Sequence, residues 1–229
     1  MRALVASALL AVVVVGLAAC GGGAKGPPAA QIVAAATKAT AAEKTFHFVF
    51  DEQHGPVSKT GVHLIFAEGD IAVPGRIKAD VQGTLLGLPL RSQLIVAGGR
   101  TYLRNPFTQA WQTVSVGTNP VAFFDPAKGV LAVIGGATQV KSAGSEKIGG
   151  EDAYHVRGKV PVSAISPILG NPPSPRLVDV ELWIGKQSSR LLRLRVSGPV
   201  EKGDSAGAVR TIDLSRYGQA VVIRPPVVP

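Results

Sequence analysis

Apolar and polar residues alternate with a period of two along much of this chain, and the alternating stretches are cut at short intervals by glycine and proline. Residues 45–51 begin the pattern, with Phe48 and Phe50 on one side. Val62, Leu64 and Phe66 then oppose His63; Ile77, Ala79, Val81, Gly83 and Leu85 oppose Lys78, Asp80, Gln82 and Thr84; Leu90, Leu94 and Val96 oppose Arg91 and Gln93. Successive side chains of an extended chain point to opposite faces, so each stretch predicts a strand with one face buried. The breaks at 55–56, 68–70, 74–75, 87–89 and 98–99 predict turns between antiparallel strands. The alternation resumes at 138–147 and 152–160 around Gly149-Gly150. Next, Val178, Val180, Leu182 and Ile184 oppose Asp179, Glu181 and Trp183; Leu192, Leu194 and Val196 oppose Arg193 and Arg195; and 209–217 makes a last strand. About ten or eleven strands are expected in all.

Three places break the two-residue period. Residues 30–44 are rich in alanine and free of glycine and proline, which predicts one helix of about four turns. In the centre, Thr118-Asn119-Pro120 and Asp125-Pro126 place a capping side chain before a proline; Val121, Phe123, Phe124, Val130, Leu131, Val133 and Ile134 follow, up to Gly135-Gly136. Two short helices are expected there. A short apolar segment, 162–169, precedes Gly170-Asn171-Pro172-Pro173. The order helix, strands, helices, strands is not the alternation of a parallel sheet, so the fold class is α+β with a long antiparallel sheet. Such a sheet curls with its twist, and a few short helices are too little to cover its inner face completely. Space for a ligand follows.

The N-terminus changes the picture. Met1 and Arg2 precede an apolar run over 3–19 that ends Leu17-Ala18-Ala19-Cys20, followed by Gly21-Gly22-Gly23. A basic start, an apolar core and small residues before a cysteine form an export signal with a lipobox, in which the Cys20 thiol accepts a diacylglyceryl group. The expected organisation is a signal peptide over 1–19, a lipidated Cys20 with a flexible tether to 29, and a single domain over 30–229. The expected place is the cell membrane, with the domain lipid-anchored on its extracytoplasmic face. With one cysteine in the chain there is no intramolecular disulfide.

The formal net charge is +9. A nucleic-acid partner is excluded, because export separates the two and because Lys78, Arg91, Arg100, Arg104, Arg157, Arg193 and Arg195 are scattered singly through strands, as on a solvated sheet face. Enzyme chemistry finds no support. His47, His54, His63 and His155 form no metal-binding spacing and are expected at the surface; Asp51-Glu52 and Glu151-Asp152 read as solvated hairpin ends; no serine stands in a nucleophile elbow. No catalytic residue, metal or cofactor is therefore assigned.

Several strings recur in an order and spacing that resemble one family. They are the lipobox with its alanine-rich helix, Ile95-Val96-Ala97-Gly98-Gly99-Arg100-Thr101-Tyr102-Leu103 followed by Trp111, and Phe124-Asp125-Pro126-Ala127-Lys128-Gly129. Gly149-Gly150-Glu151-Asp152-Ala153-Tyr154, Leu182-Trp183-Ile184-Gly185, and Tyr217-Gly218 before a proline-rich tail complete the set. Over about residues 32–226 the chain resembles the LppX/LprA/LprF/LprG lipoproteins of actinobacteria, related in fold to the LolA and LolB carriers. The resemblance implies a curved antiparallel half-barrel with helices across its concave side, enclosing an apolar cavity for the acyl chains of a multiply acylated lipid or lipoglycan. It implies carriage of that lipid from the plasma membrane toward the outer envelope. A monomer is the default for a tethered carrier, and a membrane transporter is a further candidate partner. The cavity would be lined by the inward stripes: Phe48, Phe50, Leu64, Phe66, Ile77, Val81, Leu94, Val96, Val121, Phe124, Leu131, Ile134, Val180, Leu182, Leu192 and Leu194.

The stripes themselves leave open whether the interior is hollow or a solid core. Beside the carrier stand two other readings, a lipid-sensing lipoprotein that signals to a membrane partner and a solid-core envelope scaffold. The lipobox gives the first prediction: Cys20→Ser abolishes incorporation of labelled fatty acid and releases the chain from the washed membrane fraction, whereas wild type retains both.

Overall fold

The computed structural model describes residues 26–56, 62–115, 129–169 and 176–228. Helix α1 (Ala29–Ala41) leads into strands β1 (Thr45–Gln53), β2 (Val62–Ala72), β3 (Arg76–Leu85), β4 (Leu88–Ala97), β5 (Arg100–Arg104) and β6 (Trp111–Val114). Helix α2 (Val130–Gly135), strands β7 (Thr138–Ile148) and β8 (Glu151–Pro161), helix α3 (Val162–Leu169), and strands β9 (Leu177–Gly185), β10 (Leu191–Ser197) and β11 (Val209–Ser215) follow. All strands join one 11-stranded sheet in the order β6-β5-β4-β3-β2-β1-β11-β10-β9-β8-β7, antiparallel throughout. The chain thus makes two meanders, and the long-range pairing of β1 with β11 fuses them. The edges, β6 and β7, do not meet, so the sheet is an open, curved half-barrel.

Local sequence explains the hairpins. Gly98-Gly99 and Gly149-Gly150 have positive φ at both positions and join β4 to β5 and β7 to β8 in two residues, the turn geometry that matches strand twist. Residues 68–70, expected as a turn, lie inside β2 instead. Gly69 is there because β3 comes close: a Cβ at this position would stand 2.1 Å from the Lys78 carbonyl oxygen. The segment 162–169 is a helix, and the central helix observed is α2 alone. The helix starts expected at Pro120 and Pro126 lie outside the described residues.

The inner face is the one the helices cover. Ile32, Val33 and Ala36 of α1 and Val130, Leu131, Val133 and Ile134 of α2 pack with Phe46 and Phe48 of β1, Val156 of β8, Val180 and Leu182 of β9, Leu194 of β10 and Ile212 and Leu214 of β11. At the end of the strands where β1 begins, Thr40 of α1 accepts a hydrogen bond from the Leu191 backbone N–H at 3.0 Å, and the Tyr217 hydroxyl donates to the Leu191 carbonyl. The Thr40 bond clamps the C-terminal end of α1 to one end of the sheet, called proximal below, whereas α3 joins β8 to β9 at the other. The opposite, distal end carries the turn at 86–87 and the 198–208 loop.

Two strands depart from simple alternation. A bulge between Leu64 and Phe66 in β2, and another between Leu191 and Arg193 in β10, each insert one residue and so switch the face of what lies beyond. Phe66 pairs with Asp51 and Gln82 and stands on the outer face. Leu192 packs there too, with Ala153 and Trp183. Neither lines the interior, as the sequence pattern had implied. The outer face is otherwise a layer of paired charges. His155 stacks on Trp183 at 4.4 Å between ring centres, Glu181 holds His155 and Arg157, and Asp213 binds Arg193 through two nitrogens. The C-terminal tail returns over this face, seating Ile223 against Ile95 and Tyr102.

Three of the four histidines expected in solvent are buried or half-buried and paired, and of the four carboxylates only Glu52 is buried. His47 bonds Asp70 at 2.8 Å, and only His54 of the four is exposed. Glu52 is buried at the distal end, where it meets Arg210 at 2.7 Å and His63 at 2.5 Å. Arg210 also binds Glu201 and Asp204 of the 198–208 loop, both at 2.9 Å, and Asp204 accepts the Val200 and Glu201 backbone N–H groups. One buried guanidinium therefore fastens the loop to β1 and β11. Through its hydrogen bond to Glu52, which outweighs the opposing effect of burial, His63 is raised above its ordinary value.

Two outcomes follow. Leu182→Ala, at a fully buried site, lowers stability by about 2–5 kcal/mol in urea titrations, because the helices above it relax only partly into the void. A histidine raised on folding stabilises fully below its unfolded value of about pH 6.5 and loses that contribution as pH climbs through the higher folded value. Urea midpoints of wild type therefore fall between about pH 5.5 and about pH 8.5 by more than those of His63→Gln.

Candidate functional site

Along the inner face of β1 to β4 most side chains are apolar, Ser92 of β4 opposite Val81 and the buried Glu52 at the end of β1 excepted, and on β2, β3 and β4 their burial declines toward the distal end. On β3, Ile77 and Ala79 are buried, Val81 is half-buried, and Leu85 is exposed. The register carries this gradient across the sheet. Ile77 pairs with Val96, Ala79 with Leu94, Gly83 with Leu90 and Leu85 with Leu88, and of these β4 residues Val96 is buried, Leu94 and Leu90 half-buried and Leu88 exposed. On β2, Ile71 and Ala67 are buried and Leu64 is exposed; on β1, Phe46 and Phe48 are buried and Phe50 is half-buried. Leu103 of β5, opposite Leu94, extends the same wall.

The cause is the placement of the helices. Their main contacts are with β7, β8, β9 and β10 and with one another, and at the proximal end Val130 and Leu131 of α2 lie beside Phe46 of β1. What remains is a wall of leucine, valine and phenylalanine, open toward one end and roofed toward the other. Its curvature and lack of charge suit hydrocarbon, since apolar surface removed from water contributes about 25 cal/mol per Å² whatever the shape of the apolar partner. At its distal end Glu52 and Arg210, paired across β1 and β11, are set into this face, and Arg210 is held by Glu52, Glu201 and Asp204.

A hollow of about 690 Å³ lies at the proximal end among Pro74, Arg76, Val96, Arg100, Thr101 and Val114. Two arginines, Thr101, Thr113, Ser115 and the Gly98-Gly99 backbone give it a polar lining. It is less suited to acyl chains than the wall, which we take as the site.

The sequence-predicted lining residues sort into four groups. Phe50, Leu64, Val81 and Leu94 stand on the partly open wall. Phe48, Ile77, Val96, Leu131, Ile134, Val180, Leu182 and Leu194 are inner-face residues buried in the core beneath or within the helix layer. Phe66 and Leu192 are on the outer face, for the reason given above. Val121 and Phe124, like Cys20, lie outside the described residues. Leu85, Leu88, Leu90 and Leu103 belong to the wall and were not singled out as lining; the hairpin register supplies the signal that Leu85 and Leu90 share a face, and none marks Leu88 or Leu103. Among the described residues no group of histidine, cysteine, aspartate or glutamate side chains is placed to hold a metal ion, and no helix is long and apolar enough to cross a membrane.

Comparison with known proteins agrees with this geometry. Among solved structures, LprF from Mycobacterium bovis aligns with a TM-score of 0.71 at 20% identity, covering 88% of this chain and 99% of that one. LppX from Mycobacterium tuberculosis aligns with a TM-score of 0.61 at 16% identity, covering 85% of this chain and 99% of the other. Both likenesses are of fold. A search of curated protein sequences finds no match. The model of the LppX_LprAFG lipoprotein family matches residues 28–223, nearly the whole of the domain described above, and the chain belongs to that family.

Proposed function

We propose that this protein is a membrane-anchored carrier that holds the acyl chains of a multiply acylated lipid or glycolipid against the inner wall of its half-barrel. The single observation that carries the reading is the burial gradient: Ser92 apart, the β3–β4 part of the wall stays apolar up to the exposed Leu85 and Leu88, where a solid-core protein would turn polar as it reaches water. Export and lipidation at Cys20 would hold the domain beside the membrane that supplies such lipids, and membership of a lipoprotein family supports that placement.

The physics favours carriage over tight capture. An acyl chain moving from bilayer to wall exchanges one apolar environment for another, so the driving force is small and release is easy. Selectivity then rests on how much chain the wall accommodates and on polar groups where the headgroup emerges. Movement toward the outer envelope, and a transporter that loads or unloads the protein, extend this reading without adding residues to it.

Positions for the test come from the gradient. Val180 and Leu194 lie in the packed core, so enlarging either disturbs the fold; Val81 and Leu94 are half-open and take a larger side chain at the expense of ligand space. Native mass spectrometry of the protein purified from a lipid-producing host shows stoichiometric acylated lipid. Val81→Trp lowers occupancy roughly tenfold with an unchanged melting transition, each displaced methylene forfeiting about 0.8 kcal/mol. A lipid-free protein that also refuses added lipid overturns the proposal.

A further inference from the structure

Antiparallel pairing sends alternate connections to opposite ends of the sheet, and the two ends differ in charge. Every proximal connection whose residues are described holds an exposed cation: Lys44 between α1 and β1, Arg76 after the β2–β3 turn, Arg100 after Gly98-Gly99, Lys147 before Gly149-Gly150, Lys186 between β9 and β10, and Arg216 after β11. The distal turns at 86–87 and 105–110 carry no charged residue. Far apart in the sequence, these six are gathered at one end by the hairpins.

Most of them lack a counter-charge. Lys147 stands opposite Asp152 in the β7–β8 ladder, but the other five have no carboxylate partner among the described residues. The remaining carboxylates at this end are engaged: Glu43 holds Arg190 at 2.6 Å, Glu151 accepts the Ser188 backbone N–H at 3.0 Å, and Asp70 binds His47. Within the strands, by contrast, Arg193 is matched to Asp213 and Arg157 to Glu181. Like charges left unmatched at one end repel each other and do nothing for folding, so their use lies in what they attract.

The chain enters the domain at the same end. A Cβ at Gly26 would lie 3.7 Å from the Tyr154 ring, and the Lys186 ammonium stands 5.3 Å from the centre of that ring. Tyr154 pairs with Ile184 and Ile184 with Leu191, near the proximal ends of β8, β9 and β10. The six residue steps from Cys20 to Gly26 span at most about 22 Å. From Tyr154 to the distal end of β8 at Pro161 is about 23 Å of extended chain. An anchor at Cys20 therefore brings the proximal end to the membrane with slack, and could bring the distal end there only with those residues drawn out to full length along the domain.

We propose that the proximal end is the membrane-facing surface of the anchored protein, with Lys44, Arg76, Arg100, Lys186 and Arg216 lying on the anionic headgroups of the bilayer. An acidic protein would suit the same charges, but the short tether commits this end to the membrane. Each cation contributes about fivefold in affinity, which is enough to orient a domain that its anchor already holds at the surface. The open end of the apolar wall then points away from the anchoring bilayer, up to about 35 Å from it given the length of β2. This orientation rests on the anchoring of Cys20 and not on lipid carriage.

The test uses the full lipid-anchored protein in vesicles of phosphatidylcholine and phosphatidylglycerol. A dye is placed on Gln187→Cys at the proximal end or on Phe107→Cys at the distal end, both exposed positions; Cys20, the one native cysteine, is acylated and takes no label. Lipids with a nitroxide on the headgroup quench the dye at 187 about fivefold or more over the dye at 107. That ratio drops several-fold in phosphatidylcholine alone, at about 1 M salt, where screening acts within about 3 Å, and in Lys44→Gln/Arg76→Gln/Arg100→Gln, whose melting transition is unchanged. Equal quenching at the two sites, stronger quenching at 107, or a ratio indifferent to anionic lipid, salt and the triple substitution overturns the proposal. A chain that washes off the vesicles removes the anchor and the orientation together, whereas one that stays bound without a preferred end removes the orientation alone. Bound lipid, read by mass spectrometry, reports on the carrier reading separately.

Discussion

The whole architecture depends on one imbalance: an 11-stranded sheet has a long apolar inner face, and α1, α2 and α3 are short. Burial of that face drives folding, but helix length limits how much can be roofed. The helices settle where small residues allow close packing, with Ala36 of α1 fully buried and α2 packed on α1, and they cover β7 to β10. The candidate site lies in the remainder. An apolar surface that the described helices leave uncovered is suited to an apolar partner.

Polar interactions in this molecule serve to hold that arrangement open. Arg210 with Glu52, Glu201 and Asp204 fastens the 198–208 loop at the distal end without filling the wall. A buried charge set of this kind adds little net stability over apolar packing, but removing one member costs heavily, which makes it a determinant of geometry more than of stability. The outer face, with His155 stacked on Trp183 and Glu181 shared between His155 and Arg157, stays ordered while exposed to water, so each face has its own chemistry. The fold separates a solvated outside from a lipid-compatible inside across a single layer of backbone.

Much of this was legible in the sequence. The two-residue period located nearly every strand, and the glycine pairs located two tight turns. These are local properties, set by side-chain alternation and by backbone conformations open to few residues. The family resemblance resided in short strings whose order mattered more than their content, and the match over residues 28–223 bears it out.

What the sequence could not decide was which inner-face residues are core and which are wall. Val180 and Val81 are the same residue in the same strand pattern, yet one lies under the helix layer and the other at its margin; only the packing of distant segments separates them. The bulges at β2 and β10 reversed Phe66 and Leu192 because a one-residue insertion in a ladder is a property of strand pairing. Glu52 looked like a hairpin end until Arg210, far along the chain, came to lie beside it through the β1–β11 pairing. Periodicity fixes which side of a strand a residue occupies within an unbroken stretch; tertiary structure fixes what stands opposite, because that depends on contacts between residues the sequence keeps far apart.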